Sequence, residues 1–289
     1  MKNVTIYIIS YNRLTTLKES IHSYLKFSDY RDIVILDNGS DYPPLLQYLR
    51  DLSQLGTMVE YLPKVYTREE RGKLNKVIAR ENELRNNDYY VVTDPDIAFL
   101  NPPKNILKTY ILLLENLDVD VVGPMLSIID IPKGYPGREY AWKLHVQQFW
   151  HRNPSKIKLN NENVFYLLHK IDTTFGVFKS SYSWKRQSKG ARIYAPYEAK
   201  HLDWYFTIDN LPEDQKYYSE CVKNVAMSHW SGRYLINEPF NYLPNFRKKI
   251  KVVTKNGVED YSLPKNRAYH RQIISTLSFF IEKLFWIRS

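Results

Sequence analysis

Three short apolar runs constrain this chain more than any other feature. They are Val4–Ile9, Asp32–Leu36 and Tyr89–Thr93, and each stops at a polar loop: SYNR, DNGSD and TDPD. The runs are rich in β-branched and aromatic residues and read as strands. Thr57–Leu62 and Val119–Val122 add two more, the latter ended by Gly123 and Pro124. Between them the apolar spacing turns helical. Leu14, Leu17, Ile21, Tyr24 and Leu25 mark one helix, with Thr16 and Glu19 spaced as a capping box. Leu74, Val77, Ile78 and Leu84 mark a second; Leu107, Tyr110, Ile111 and Leu114 mark a third, starting near Pro102 and Pro103. Such alternation implies an α/β fold with a mainly parallel sheet covered by helices on both faces. Ligands then bind beyond the carboxyl ends of the strands, where all three polar loops fall. No GxGxxG or P-loop follows the first strand, so a dinucleotide fold is not expected.

The loop TDPD is the most pointed of the three. Pro95 keeps Asp94 extended, and residues two apart in an extended chain face the same way. The carboxylates of Asp94 and Asp96 therefore converge. Two such charges need a shared proton or a cation, and a hard divalent ion such as Mg²⁺ or Mn²⁺ suits them. An Asx turn is the plain alternative for the same three residues.

Composition narrows the setting. The 289 residues allow one large domain, or a domain with an appendage, and 44% hydrophobic residues allow a real core. A single cysteine, Cys221, excludes an intrachain disulfide framework and a cysteine-based zinc site, and fits a cytoplasmic setting. The opening run reads as a strand rather than a leader, and no stretch reads as a clear membrane span. The net charge of +10 is concentrated beyond Phe246, where ten Lys or Arg face three acidic residues. This argues against nucleic acid as a partner of the whole domain. A basic linker followed by an amphipathic helix, with Ile273, Ile274, Leu277, Phe280, Ile281, Leu284 and Phe285 on one face, suits either packing on the domain or an anionic inner membrane surface, with the protein peripheral there. The expected division is 1–245 as the main domain, with halves 1–125 and 126–245, and 246–289 as the tail. Beyond about residue 130 the pattern loosens into loops, short strands and one or two helices.

Taken together, VTIYIISYNR, IVILDNGSD, RGKLNKVIARENEL and VVTDPDIAF resemble, in order and spacing over roughly residues 3–125, a family 2-like glycosyltransferase of the GT-A fold, of the bacterial surface-polysaccharide type. The resemblance implies a nucleoside-diphosphate sugar donor, UDP or TDP type favoured, a Mn²⁺ or Mg²⁺ ion, and a glycan or lipid-linked acceptor. Carried onto this sequence, it makes Ser10, Tyr11 and Arg13 donor contacts and sets Asp37 to receive the base. Lys73 and Asn75, with Arg71, face the donor or simply form a solvated helix face. Asp94 and Asp96 become the metal motif, with Asp94 also touching the donor and His229 a further ligand or a buried structural histidine. An inverting reaction needs a general base. Asp172 is the first candidate for it, Asp203 the second and Glu198 the third. Trp204 and Trp230 are either sugar platforms or core. The competing readings are a non-catalytic nucleotide- or sugar-binding subunit and a nucleotidyltransferase.

Overall fold

A computed structural model describes residues 4–27, 32–64, 72–207, 209–222 and 249–263. Its first half runs β1 (Val4–Ser10), α1 (Leu14–Tyr24), β2 (Asp32–Asp37), α2 (Pro43–Gln54), β3 (Met58–Tyr61), α3 (Gly72–Arg85), β4 (Tyr89–Thr93), β5 (Ile97–Ala98), α4 (Ile106–Asn116) and β6 (Val121–Pro124). Then come α5 (Pro136–His145), a π-helical turn at Val146–Trp150, β7 (Ser155–Leu159), β8 (Glu162–Leu168), β9 (Gly176–Lys179), β10 (Gly190–Ile193), β11 (Lys200–His201), a 3₁₀ turn at Leu202–Tyr205, α6 (Glu213–Cys221), β12 (Lys249–Thr254) and β13 (Gly257–Ser262).

Nine strands form one sheet in the order β3-β2-β1-β4-β9-β6-β10-β8-β7. The strands β3, β2, β1 and β4 are parallel neighbours, β9 runs antiparallel between β4 and β6, and β10 is parallel to β6. This mixed, mainly parallel sheet flanked by helices is the architecture expected from the GT-A resemblance. Side-chain alternation divides β1 between two apolar layers. Ile6 and Ile8 pack with Leu17 and Ile21 of α1, Leu45 and Leu49 of α2, and Tyr110 and Leu113 of α4. Tyr7, on the opposite face, packs with Leu74 and Ile78 of α3. Both faces are covered, which is why these central strands read as nearly unbroken apolar runs.

Four expectations change. Helix α2 was not anticipated; its Pro43 and Pro44 occupy the first helical turn, where a missing N–H costs nothing, and Leu45 and Leu49 form its buried stripe. The Thr16–Glu19 capping box does not form, because α1 already begins at Leu14. Asp214 of α6 caps it instead, accepting the Thr15 N–H at 2.9 Å and the Thr15 hydroxyl at 2.6 Å. The third helix starts at Ile106 behind Asn105 rather than at the prolines. Part of the segment read as a basic linker is a hairpin, β12–β13, whose Ile250, Val253 and Leu263 join the main core. The apolar C-terminal face at residues 273–285 lies outside the described residues, among which no helix is long and apolar enough to cross a membrane.

Candidate active site

The three polar loops meet at the carboxyl ends of β1, β2 and β4 as the alternation requires. Asn12 holds two of them together. It takes a left-handed conformation at φ 51°, which asparagine tolerates better than most residues. Its backbone N–H donates to Ser40 Oγ at 2.9 Å, and its side-chain amide both donates to Asp41 and accepts the N–H groups of Asp41 and Tyr42. Gly39, at φ +72°, brings the second loop against Lys64 so closely that a Cβ would lie 2.7 Å from the Lys64 nitrogen.

The third loop is gripped from the second half of the chain. The Asp94 N–H donates to the Thr173 carbonyl at 2.8 Å, and the Thr173 hydroxyl donates to the Asp94 carboxylate. After Asp96 the chain forms β5, which pairs antiparallel with β11 so that Ile97 faces His201. The Leu202 N–H donates to the Asp96 carbonyl at 2.8 Å, fixing the following turn. That turn carries Asp203. The result is a buried trio of Asp96, His201 and Asp203, whose ligand-type atoms all lie within 4.8 Å of one another. His201 Nε2 is 3.6 Å from Asp96 Oδ2. The His201 ring stacks on Trp204 at 4.9 Å.

Arg13 enters this trio from the first loop. Its guanidinium donates to Asp96 Oδ2 at 2.7 Å and to Asp203 Oδ1, and lies 5.0 Å above the Tyr218 ring. The arginine and both aspartates are buried. A buried arginine bridging two carboxylates compensates charge that would otherwise be intolerable. Burial, and next the charge of Asp96, push the Asp94 carboxyl up to about 8. Asp96 moves the opposite way: burial opposes ionisation, but His201 and then Arg13 hold it below the ordinary carboxylate range. The pair therefore separates into a protonatable Asp94 and an ionised Asp96.

These groups line one cavity of about 510 Å³. Ser10, Tyr11 and Arg13 line it, as do Asp94, Asp96, Asp172 and Asp203. Asp37, Lys73, Asn75 and Glu198 do not; their neighbours Asn38 and Leu74 do. Asp37 is buried and serves its own turn, accepting the Ser40 hydroxyl at 2.5 Å and the Ser40 N–H at 3.1 Å. Lys73 is exposed, and Asn75 is half-buried on the same turn of α3. Asp172, the first candidate base, has both oxygens taken by Arg186, at 2.6 and 2.8 Å. Despite burial, that pairing holds Asp172 below the ordinary carboxylate range, which makes it a poor proton acceptor. Asp203, the second candidate, sits within the trio. Trp204 is fully buried and belongs to the core as well as the cavity wall. Arg71, His229 and Trp230 lie outside the described residues.

The trio fits a divalent cation. It offers two carboxylates and an imidazole, and Asp96 Oδ1 is buried with no hydrogen-bond partner. Carboxylate oxygens suit Mg²⁺ or Mn²⁺, and the imidazole nitrogen favours the softer Mn²⁺. Sequence reasoning reached Asp96 and Asp203 but missed His201. The available signal was its place two residues before Asp203 in KHLDWY, opposite the extended DPD.

The sequence profile of glycosyl transferase family 2 matches residues 5–185, more than half the chain and all three loops. The chain belongs to that family. No curated protein matches the sequence. Among solved structures, the family member resembles a mannosyltransferase from Pyrobaculum calidifontis in complex with GDP-Man and Mn²⁺, at 11% identity and a TM-score of 0.42, covering 76% of this chain and 61% of that one. It also resembles S. aureus TarS 1-349, at 13% identity and a TM-score of 0.43, covering 79% of this chain and 67% of that one. A third is glucosyl-3-phosphoglycerate synthase from Mycobacterium tuberculosis, at 11% identity and a TM-score of 0.33, covering 62% of this chain and 57% of that one.

Proposed function

We propose that this family 2 member transfers a sugar from a nucleoside-diphosphate donor to a hydroxyl of a glycan or lipid-linked acceptor, with a divalent cation at Asp96, His201 and Asp203. The observation that carries the reading is that trio, assembled from residues more than 100 apart in sequence at the carboxyl edge of the sheet. The bound cation would offset charge on the leaving diphosphate. Ser10, Tyr11 and Arg13 line the donor side, where Arg13 is the permanent cation. UDP or TDP remains the favoured donor type from the family resemblance.

Direct displacement with inversion is the favoured course. The acceptor hydroxyl oxygen bonds to the anomeric carbon as the bond to the diphosphate breaks, and the hydroxyl proton passes to a carboxylate. Asp203 takes that role only where the cation rests on Asp96 and His201 alone, because one carboxylate cannot be both metal ligand and proton acceptor; Arg186 occupies both oxygens of Asp172. From the basic segment beyond Phe246 and the apolar face at 273–285, we also propose that the tail binds anionic membrane, placing the protein at the inner face. Unchanged liposome binding after its removal would refute this.

Calorimetry with UDP, TDP, GDP and CMP, with and without Mn²⁺, tests the central reading. One nucleoside diphosphate should bind tightly, only with the metal, and not to the Asp94→Ala, Asp96→Ala double variant. Absence of binding under every condition would favour a non-catalytic module.

A further inference from the structure

Among the described residues, the cavity contains a buried cation, Arg192, that the proposed chemistry does not use. Arg192 lies on β10, opposite Gly123 of β6 and Leu167 of β8, and is only 5% exposed. Its companions in the cavity are matched: Arg13 bridges Asp96 and Asp203, and Arg186 clamps Asp172. Arg192 has no ion pair among the described residues. Its guanidinium reaches only neutral acceptors, all at long range: the Lys170 carbonyl at 3.2 and 3.3 Å, the Pro124 carbonyl at 3.3 Å and the Thr174 hydroxyl at 3.5 Å. The Phe149 ring lies beneath it, 4.6 Å from the guanidinium carbon. Burial lowers its pKa to about 10, so the group stays charged at neutral pH.

A buried charge with only weak neutral partners is costly, and a planar fork of N–H donors is matched to an oxyanion. The surrounding wall suits that ligand. Lys170, exposed at the cavity lining, adds a second cation, and Phe149 and Gln148 come from the π-helical turn, a distortion common at functional sites. His145, buried beside them, is kept neutral by burial and then by Arg192 itself, so it does not compete for the anion. Apart from the Pro124 carbonyl, this wall is built from the second half of the chain.

We propose that Arg192, supported by Lys170, is an anion subsite for the acceptor, and that the acceptor carries a phosphate or carboxylate near the hydroxyl that receives the sugar. The assignment rests on the transferase reading for the word acceptor, but the anion site itself stands separately.

The test is calorimetry of the full chain with glycerol 3-phosphate, glucuronate and, as neutral controls, glycerol and glucose. At least one anion should bind and neither control should. Preference between glycerol 3-phosphate and glucuronate identifies phosphate or carboxylate. Arg192→Gln should weaken anion binding at least 10-fold, Arg192→Lys less, and the exposed Lys170→Ala by about 3-fold, a variant that keeps the test open if Arg192→Gln fails to fold. The Asp94→Ala, Asp96→Ala double variant should still bind the anion. If it does while no nucleotide binds to the unmodified protein, the transferase reading fails and the anion site survives. The proposal is overturned if neither anion binds, if Lys170→Ala and Arg192→Lys leave anion affinity unchanged, or if the Arg192 variants lose nucleotide rather than anion binding.

Discussion

Residues 4–125 and residues 126–222 build one cavity by different means. The first half delivers polar loops from the ends of parallel strands, so its contribution follows from backbone repetition alone. The second half delivers its groups from irregular pieces: His201 from a two-residue strand, Asp203 from a 3₁₀ turn, Phe149 from a π-helical turn and Arg192 from a short strand. The two are locked by contacts across the chain, among them Arg13 with Asp203, 190 positions apart. Each half supplies both a carboxylate and a partner for it: Asp96 and Arg13 from the first, Asp203 and His201 from the second.

The comparison is tested hardest at its two central carboxylates. Asp96→Asn should weaken metal-dependent nucleotide binding more than about 100-fold, because it removes the ionised member of the pair. Asp203→Asn should lower turnover about 10²- to 10⁴-fold. Measuring Mn²⁺-nucleotide affinity in the same variant separates its roles. Retained affinity makes Asp203 the base supplied by the second half. Lost affinity makes it a metal ligand shared between the halves and returns the base assignment to an open question.

Next comes the arginine that joins them. Arg13→Ala leaves Asp96 and Asp203 buried without their bridging cation, a change expected to cost about 3–5 kcal/mol. Urea denaturation should show it as a lower midpoint at unchanged slope. Millimolar Mn²⁺ should recover part of the loss if the trio holds the ion, since a ligand of the native state stabilises it. An unchanged midpoint would mean that the trio does not depend on the bridge.

Legibility in the sequence follows the same division. The succession of strands and helices in the first half and the three loops at the strand ends were readable because period and loop chemistry are local. Helix α2 was readable too, from Pro43, Pro44 and the Leu45–Leu49 spacing, but was overlooked. The capping of α1 by Asp214 and the bridging of Asp96 to Asp203 by Arg13 were not readable, because they join residues nearly 200 apart. Asp172 was chosen as base for its place after an apolar run. Nothing local announces that Arg186 would occupy both its oxygens.

A smaller effect should come from the contact that seats the 3₁₀ turn. Gly137, in the first turn of α5, packs against Trp204 so closely that a Cβ would lie 2.6 Å from Trp204 Cα and 2.7 Å from its carbonyl oxygen. Backbone cannot yield as a side-chain tip can. Gly137→Ala should cost about 1–3 kcal/mol and shift the turn carrying Asp203. Turnover should fall about 10-fold or more; nucleotide affinity with and without Mn²⁺ then shows whether the shifted Asp203 also holds the cation. Equal loss of both would show that the turn serves the donor side as well.

The smallest effect sharpens the boundary on its outer side. Glu198, the third candidate base, does not line the cavity; it accepts the Ala195 N–H at 3.0 Å beside the segment where Ala199 bonds to Met125 and Ser127. Burial pushes its carboxyl up from 4.5 to about 7, against the pull of the Ala195 hydrogen bond. A raised acid binds more protons folded than unfolded between those two values, so its contribution to stability is complete below the lower value and is lost as pH rises to about 7. Glu198→Gln keeps an acceptor for the Ala195 N–H and removes the titration. The variant should be more stable than the parent at pH 8 by about 1–3 kcal/mol, and should lose that component of the decline with pH. Its turnover should be unchanged. Identical pH–stability curves would show that Glu198 is not buried in an uncompensated way, and a loss of turnover would place it in the chemistry and move the edge of the acceptor wall outward.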